Sequence, residues 1–179
     1  MDGILIIDKP TEWTSHDVVG RLRKLLQKKR IGHTGTLDPF ATGVLVMLVG
    51  QATRLAQFLD KDQKEYEATI QFGFETETGD LTGEVKDEGG RMKDEEIADI
   101  LKEINFDEVF GSFRGEISQV PPMYSAKKID GKKLYELARK GIEIERKAVD
   151  ITIYNLEISQ DQKPKTEDQI CIRVVCSAG

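Results

Sequence analysis

The sequence of 179 residues is poor in the side chains that most often bind metals, with two cysteines and two histidines. Cys171 and Cys176 lie in one apparent strand, residues 169–176, at a spacing that points them to opposite faces. They can therefore neither pair with each other nor share a metal ion, and we expect two reduced packing residues. His16 and His33 do not form a metal-ligand pattern either. The sequence predicts no metal site.

Long apolar runs are also missing. No stretch approaches the roughly 20 residues needed to cross a bilayer, and the N-terminus lacks the basic-then-apolar pattern of a signal segment. With 39% apolar and 32% charged residues, the composition is typical of a globular protein, and 179 residues suffice for one domain with a sizeable core. These features predict a cytoplasmic protein without a membrane partner.

The formal net charge is −6, which by itself argues against a nucleic-acid partner. The charge is unevenly distributed, however, at +2 over residues 1–62, −10 over residues 63–118 and +2 over residues 119–179. Residues 119–147 alone carry eight basic and four acidic side chains. Two interpretations stay open: the two ends bind an anionic ligand while the middle faces away, or the charges are ordinary solvated faces.

Strand-like and helix-like segments are mixed along the chain, which favours an α+β fold over strict alternation. Thr14 and Asp17 resemble a capping box before an amphipathic helix that extends to Leu26. The prolines at 121–122 predict a stiff, extended segment. The other expected elements are strands at 3–7, 44–49, 66–72, 109–117, 146–159 and 168–176, helices at 52–59, 93–103 and, rich in basic residues, 132–140 with Gly141 as its C-cap, and a turn or loop at 76–83.

The most unusual segment is 32–43, GHTGTLDPFATG, which is too rich in glycine to be a regular helix or strand. Asp38 precedes a proline in this segment and is either a loop-capping residue or a functional carboxylate. No other acid lies within ten residues before it and the next one after it is Asp60, so no paired-carboxylate glycosidase site is visible. Neither a Ser-His-Asp spacing nor a phosphate-binding glycine-lysine loop is present. Two interpretations of His33 stay open, a structural hydrogen bond and a functional role.

Several segments, in the same order, resemble motifs of the bacterial tRNA pseudouridine synthase B (TruB) family. The resemblance covers essentially the whole chain, and several ordered motifs are far more specific than one. The matching segments are GIL at 3–5 with DKP at 8–10, TSHDVV at 14–19, GHTGTLDP at 32–39 with ATGVL at 41–45, KEY at 64–66, TETGD at 76–80 with Gly83, QVPPMYSAKK at 119–128, Gly131, and YELARKG at 135–141.

The resemblance implies a pseudouridine synthase fold, with a mixed, mostly antiparallel sheet flanked by helices and an RNA-gripping insertion at 119–147. It implies that uridine 55 in the T-loop of tRNA is flipped out and isomerised to pseudouridine, which requires no cofactor. Asp38 would be the catalytic residue. By the same resemblance, the substrate-binding residues would be His33 and Tyr66, with Lys9 and Tyr124 as weaker candidates, and Lys127, Lys128, Lys132, Lys133, Arg139 and Lys140 as phosphate contacts.

The family also has an active-site arginine in a Gly-Thr-Tyr-Ile-Arg motif, which should begin where this sequence reads Ser177-Ala178-Gly179. We therefore expect residues 1–179 to be one catalytic domain that lacks its C-terminal end and the family's RNA-binding PUA domain. Such a fragment could be inactive. The implied partner is the tRNA T-arm, bound by a monomer that needs no other protein.

The sequence is compatible with three alternatives. The chain could be a tRNA-binding or chaperone module without catalysis, in which Asp38 is dispensable. It could be a pseudo-enzyme whose glycine loop is only a turn, which predicts no affinity for RNA. It could also be a related synthase that acts on another RNA.

Overall fold

The computed structural model describes residues 2–59, 63–86, 92–124, 128–129, 132–133, 137–138, 141–142 and 144–177. The chain divides into two compact units, Met1–Asp62 and Gln63–Gly179. All strand pairs within the described ranges are antiparallel, and helices accompany both main sheets. The predicted α+β class is confirmed. No helix among these residues is long and apolar enough to cross a membrane.

The first unit is a three-stranded sheet with a helix packed on one face. Its strands are β1 (Gly3–Lys9), β2 (Ile31–His33) and β3 (Gly43–Val49), with β3 in the centre. β1 pairs with β3 along its whole length, from Gly3 opposite Val49 to Lys9 opposite Gly43. Alternate residues of β3 therefore face the helix α1 (Ser15–Leu26). The core between them consists of Val18, Val19, Leu22, Ile31, Leu45, Met47 and Val49.

α1 begins as the sequence predicts. The Thr14 hydroxyl accepts a hydrogen bond from the Asp17 N–H, and the Asp17 carboxylate accepts one from the Thr14 N–H at 2.8 Å, which completes the capping box. The predicted helix at 52–59 is instead a 3₁₀ helix, Gly50–Leu55, followed by the short α2, Ala56–Leu59. The Thr53 hydroxyl donates a hydrogen bond to the Gly50 carbonyl at 2.9 Å. In an α-helical turn this carbonyl would accept from the backbone N–H four residues later, so the side chain competes for the same acceptor.

The second unit contains a four-stranded sheet in the order β4 (Lys64–Gln71), β11 (Gln169–Cys176), β10 (Val149–Ile158), β7 (Gly115–Gln119). The helices α3 (Asp94–Glu103) and α4 (Phe106–Gly111) cover one face. Two short hairpins add β5 (Glu75–Thr76) with β6 (Val85–Lys86), and β8 (Lys128–Ile129) with β9 (Lys132–Lys133). The buried core residues are Ile97, Leu101, Phe110 and Ile170. Cys171 and Cys176 are buried thiols on opposite faces of β11, as predicted.

The predicted strand at 109–117 is wrong in its first half, where the structure has α4 and then β7. Phe106, Val109 and Phe110 recur at a helical period, and the Asn105 side chain accepts a hydrogen bond from the Glu108 N–H as an N-cap. Gly115, at φ +94°, allows the chain to turn into the strand. A local cap thus outweighs the apparent β-propensity of the segment.

The predicted basic helix at 132–140 is also only partly correct. Lys132 and Lys133 form strand β9, which pairs with β8. Leu137 and Ala138 are helical. The C-cap at Gly141 is confirmed by its φ of +67° and by the hydrogen bond from its N–H to the Ala138 carbonyl at 2.9 Å. Residues 134–136 and 139–140 lie outside the described residues.

Gly73 offers a test of packing in the second unit. Its φ is +94°, and a Cβ at this position would overlap Cδ1 of Ile97, which is buried in the core. We expect Gly73→Ala to lower the free energy of unfolding by about 1–3 kcal/mol, measured by urea denaturation. Gly111→Ala is the control, since a Cβ there has nothing within 4 Å. Equal stability of the two variants would contradict this account.

Candidate functional site

The glycine-rich segment connects β2 to β3. Contrary to the prediction, its first two residues are regular strand, because Gly32 pairs with Leu48 and His33 with Met47. The N–H of Thr34 extends the pairing by donating to the Val46 carbonyl at 3.1 Å. The chain then turns at Asp38, whose carbonyl accepts a hydrogen bond from the Ala41 N–H at 3.1 Å. Asp38 therefore lies in a short turn between two adjacent strands.

The N-terminus of α1 fixes this turn from one side. The hydroxyl of Ser15 accepts a hydrogen bond from the Leu37 N–H at 3.0 Å and donates to the Leu37 carbonyl at 3.3 Å. Ser15 is 2% exposed, and Leu37 packs against the core of the first unit. The residue before Asp38 is thus held through both of its backbone groups. No local pattern in the sequence predicts this contact, because it joins residues 22 apart.

Lys9, the last residue of β1, holds the same turn through its side chain. Its side chain is 0% exposed, and its ammonium donates hydrogen bonds to the carbonyls of Pro10 at 2.9 Å, Trp13 at 2.7 Å and Pro39 at 3.3 Å. Pro39 directly follows Asp38. The lysine therefore joins the chain after β1 to the turn that carries the candidate carboxylate. The predicted role of Lys9 as a substrate contact stays a prediction.

Lys9 and Asp38 also interact electrostatically. Burial lowers the pKa of Lys9 from its ordinary value, and the negative charge of Asp38 partly opposes that shift. A cation and a carboxylate thus lie within electrostatic range in one loop assembly. An ionised carboxylate held on fixed backbone can act as a nucleophile or as a general base.

His33 stands at the beginning of the same loop, and its ring meets that of His16 edge to face with centroids 5.7 Å apart. Burial lowers the pKa of His33. A backbone hydrogen bond at Gly35 opposes the shift, and the nearby His16 adds to it. The Nδ1 atom is buried without a well-formed partner among the described residues. His33 is therefore disposed to be neutral at pH 7.

Tyr66 belongs to the second unit, in β4, where it is half-buried opposite Val174 of β11. The register of these strands is secured on the other face by Arg173, which bonds Glu65 at 2.6 Å and Glu157 at 3.1 Å. The hydrogen bonds from these two carboxylates raise the pKa of Arg173 above its usual value. Because a slip of one residue would turn Tyr66 to the opposite face, this cross-strand pairing determines where the ring points.

A second loop, between β5 and β6, is organised around Asp80. Its carboxylate accepts hydrogen bonds from the Thr78 hydroxyl at 2.7 Å, the Thr82 N–H at 2.8 Å and the Thr82 hydroxyl at 2.6 Å. Burial would raise the pKa of Asp80, but these hydrogen bonds and that of the Gly83 backbone outweigh it, so the pKa is lowered. The spacing of threonines around an aspartate was visible in the sequence, but the central position of the carboxylate was not predicted.

The other predicted contacts lie in or near residues 119–147. Tyr124 is 37% exposed and follows Pro121 and Pro122. Lys128 and Lys133 are cross-strand partners in the hairpin of β8 and β9, and Lys132 pairs with Ile129. Lys127, Arg139 and Lys140 lie outside the described residues. Across the described ranges, no group of three or more His, Cys, Asp or Glu side chains could hold a metal ion.

Comparison with known proteins identifies the family. The sequence model of the TruB family pseudouridylate synthase (N terminal domain) matches residues 23–179, and the chain belongs to this family. It is 49% identical to tRNA pseudouridine synthase B of Alkaliphilus oremlandii and 48% identical to that of Clostridium kluyveri, each over 179 residues. These alignments cover 100% of this chain but 56% and 58% of the two relatives. The chain thus spans little more than half the length of the curated relatives it matches.

Two solved structures resemble the fold. A chain in the crystal structure of a Cbf5-Nop10-Gar1 complex is 27% identical with a TM-score of 0.61, over 99% of this chain and 40% of that one. A chain in the structure of an H/ACA RNP bound to a substrate RNA containing 2′-deoxyuridine is 25% identical with a TM-score of 0.58, over 99% of this chain and 38% of that one. The predicted pseudouridine synthase fold is confirmed.

Lys9→Met tests the bracing of the turn. We expect it to lower the free energy of unfolding by about 1–3 kcal/mol, because three carbonyls lose their donor while the apolar stem keeps its length. Urea denaturation measures the loss. Lys24→Met, at an exposed position of α1, is the control. If both variants unfold at the same urea concentration, the ammonium does not brace the turn.

His33 predicts a specific pH dependence. Because its pKa is lowered from 6.5 in the folded state, the unfolded chain binds more protons as the pH falls below about 6.5. Stability due to this group is therefore present above pH 6.5 and declines below it. We expect the melting temperature of His33→Gln to fall less between pH 7 and pH 5 than that of the parent.

The two histidines of the chain allow a direct check by NMR. The His16→Gln variant leaves one imidazole, which we expect to titrate below 6.5 but at a higher pH than in the parent, since the positive charge of His16 contributes to the shift. An imidazole of His33 that titrates above 6.5 would contradict the buried, neutral state.

Proposed function

We propose that this chain carries the catalytic site of an enzyme that isomerises uridine to pseudouridine at position 55 in the T-loop of tRNA, with Asp38 as the catalytic residue. The observation that supports this most is the bracing of the Asp38 turn by Lys9 and Ser15. A loop-capping aspartate would need no such support from two other elements. The names of the matched relatives support tRNA as the substrate.

The chemistry needs one carboxylate and no external reagent. The bond between C1′ of the ribose and N1 of the uracil breaks, the base turns over, and a bond forms between C1′ and C5, while the proton on C5 is finally lost and N1 gains one. An ionised Asp38 can attack C1′, or it can remove the proton at C2′ so that a glycal forms. Either route requires the uridine to be extruded from the loop.

The remaining predicted residues would hold the RNA. Tyr66 would stack on the extruded base, since an aromatic face is the usual support for an unpaired base. The lowered pKa of His33 suits a neutral imidazole that contacts the nucleotide without adding charge. Lys9 and Tyr124 would be weaker substrate contacts. Phosphate contacts, which make affinity fall as salt rises, would come from Lys127, Lys128, Lys132, Lys133, Arg139 and Lys140.

We further propose a monomer that acts in the cytoplasm on tRNA alone. The main competing function is that of a tRNA-binding module without catalysis. The basic segment would serve the enzyme and the binding module equally. The two differ in whether the product depends on Asp38.

The test uses a tRNA T-arm transcript and chemical mapping of pseudouridine, with the present chain and a version extended over the length that the relatives have. We expect Asp38→Asn to lower the rate by at least about 100-fold in any version that is active. Asp2→Asn is the matched control, since asparagine keeps the oxygen that accepts the hydrogen bond from the Gln51 N–H.

Retention of pseudouridine formation in Asp38→Asn would overturn the catalytic assignment. Binding of the T-arm without product, in the extended version as well, would favour the RNA-binding module. If neither pseudouridine nor T-arm binding is detected, both functions are overturned.

A further inference from the structure

The second half of α1 and the turn after it form a basic surface outside the candidate site. Residues 21–30 contain no acidic side chain. The cations in this stretch are Arg21, Arg23, Lys24, Lys28, Lys29 and Arg30, and all of them are exposed. Carboxylates three or four residues away can pair with such cations on a helix, and Asp17 stands four residues before Arg21. The one acid of α1, Asp17, is in the first turn, where it is engaged by Thr14.

Only part of this charge has a structural use. Arg23 donates to the Ile31 carbonyl at 3.3 Å, and Arg30 donates to the Thr53 hydroxyl at 2.7 Å. None of these ion pairs found in the described ranges involves a cation of 21–30: Lys86–Glu75, Lys102–Asp99, Arg114–Asp107, Arg173–Glu65 and Arg173–Glu157. The helix dipole favours cations near its C-terminus, but this effect falls off within the last turn and is worth at most about 1 kcal/mol for an exposed group. Arg21, Lys24, Lys28 and Lys29 are left without a structural partner among the described residues.

These four exposed side chains belong to the second half of α1 and to the residues directly after it. Arg21 and Lys24 are three residues apart and are therefore neighbours on the surface of α1, and Lys28 and Lys29 directly follow Gln27, the C-cap at φ +51°. Val18, Val19 and Leu22 of α1 pack against the sheet. The stretch 21–30 contains no aromatic side chain. Without an aromatic face to support a base, it suits a phosphate backbone.

α1 also connects this surface to the candidate site. Its first residue, Ser15, holds Leu37 next to Asp38, and its 12 residues span about 18 Å. A nucleic acid carries a charge every few ångströms along its axis. An RNA whose target nucleotide lies at Asp38 therefore has phosphates several nucleotides away that can reach the far end of α1.

We propose that Arg21, Lys24, Lys28 and Lys29 form a second phosphate-binding surface, which holds the RNA backbone outside the loop that carries the target uridine. This inference rests on the proposed function for the choice of RNA. It differs from that function in its residues, because none of the four belongs to the predicted site. The contact is independent of sequence and adds to affinity through the release of counterions.

The test compares a variant with glutamine at all four positions to a control variant in which Lys93, Lys102, Lys163 and Lys165, exposed cations of the second unit, become glutamine. Both lose the same charge, and thermal melting checks that both fold. Binding of an unmodified tRNA transcript and of a T-arm hairpin is measured from 50 to 300 mM KCl. A smaller variant, Lys28→Gln with Lys29→Gln, changes residues outside α1 and guards against effects on the helix.

We expect the four-residue variant to bind tRNA at least about tenfold more weakly than the control, with a slope of log K against log salt that is shallower by about 2–3. The smaller variant should show about half of this change. A hairpin that is affected less than tRNA would place the contact beyond the T-arm, and an equal effect would place it on the T-stem. Slopes equal to those of the control for both RNAs would overturn the proposal. The outcome is independent of catalysis, which the Asp38→Asn assay measures separately.

Discussion

The candidate site depends on one buried ammonium group. The pairing of β1 with β3 places Lys9 opposite Gly43, where the glycine-rich loop re-enters the sheet, so the strand register alone brings the lysine beneath the loop. A buried cation is costly unless its donors are satisfied, and here three backbone carbonyls satisfy them. The hydrogen bond to Pro39 transmits this constraint to Asp38. A carboxylate whose backbone is fixed loses little freedom when substrate arrives, which favours reaction.

The loop is held from two directions by interactions of different kinds. Lys9 supplies charge-assisted hydrogen bonds from the sheet, and Ser15 supplies neutral ones from the start of α1. The capping box of Thr14 and Asp17 fixes the beginning of that helix, and so fixes Ser15 as well. The position of a carboxylate more than 20 residues later therefore depends on the local capping of this helix.

Much of this architecture follows from the sequence where the signal is local. The capping box, the Gly141 C-cap and the strands β1, β3, β4, β10 and β11 were predicted from neighbouring residues, as were the motifs that name the family. Prediction failed at 109–117, where the cap by Asn105 outweighs strand propensity, and at 132–133, where a hairpin replaces the helix. The contacts of Ser15 with Leu37 and of Lys9 with Pro39 join residues 22 and 30 apart, so no periodicity could reveal them.

Net charge is a poor guide to the partner of this protein. Most of its acidity lies in residues 63–118, and much of that has an internal explanation: Glu65 pairs with Arg173, Glu75 with Lys86 and Asp107 with Arg114. The acids Asp94, Glu95 and Glu96 occupy the first turn of α3, where the helix dipole favours them. Among the cations of 21–30, Arg21, Lys28 and Lys29 have neither a partner among the described residues nor a place in the last turn of a helix. Because a polyanion responds to the local field rather than to the sum over the chain, a protein of net charge −6 can present a surface suited to RNA.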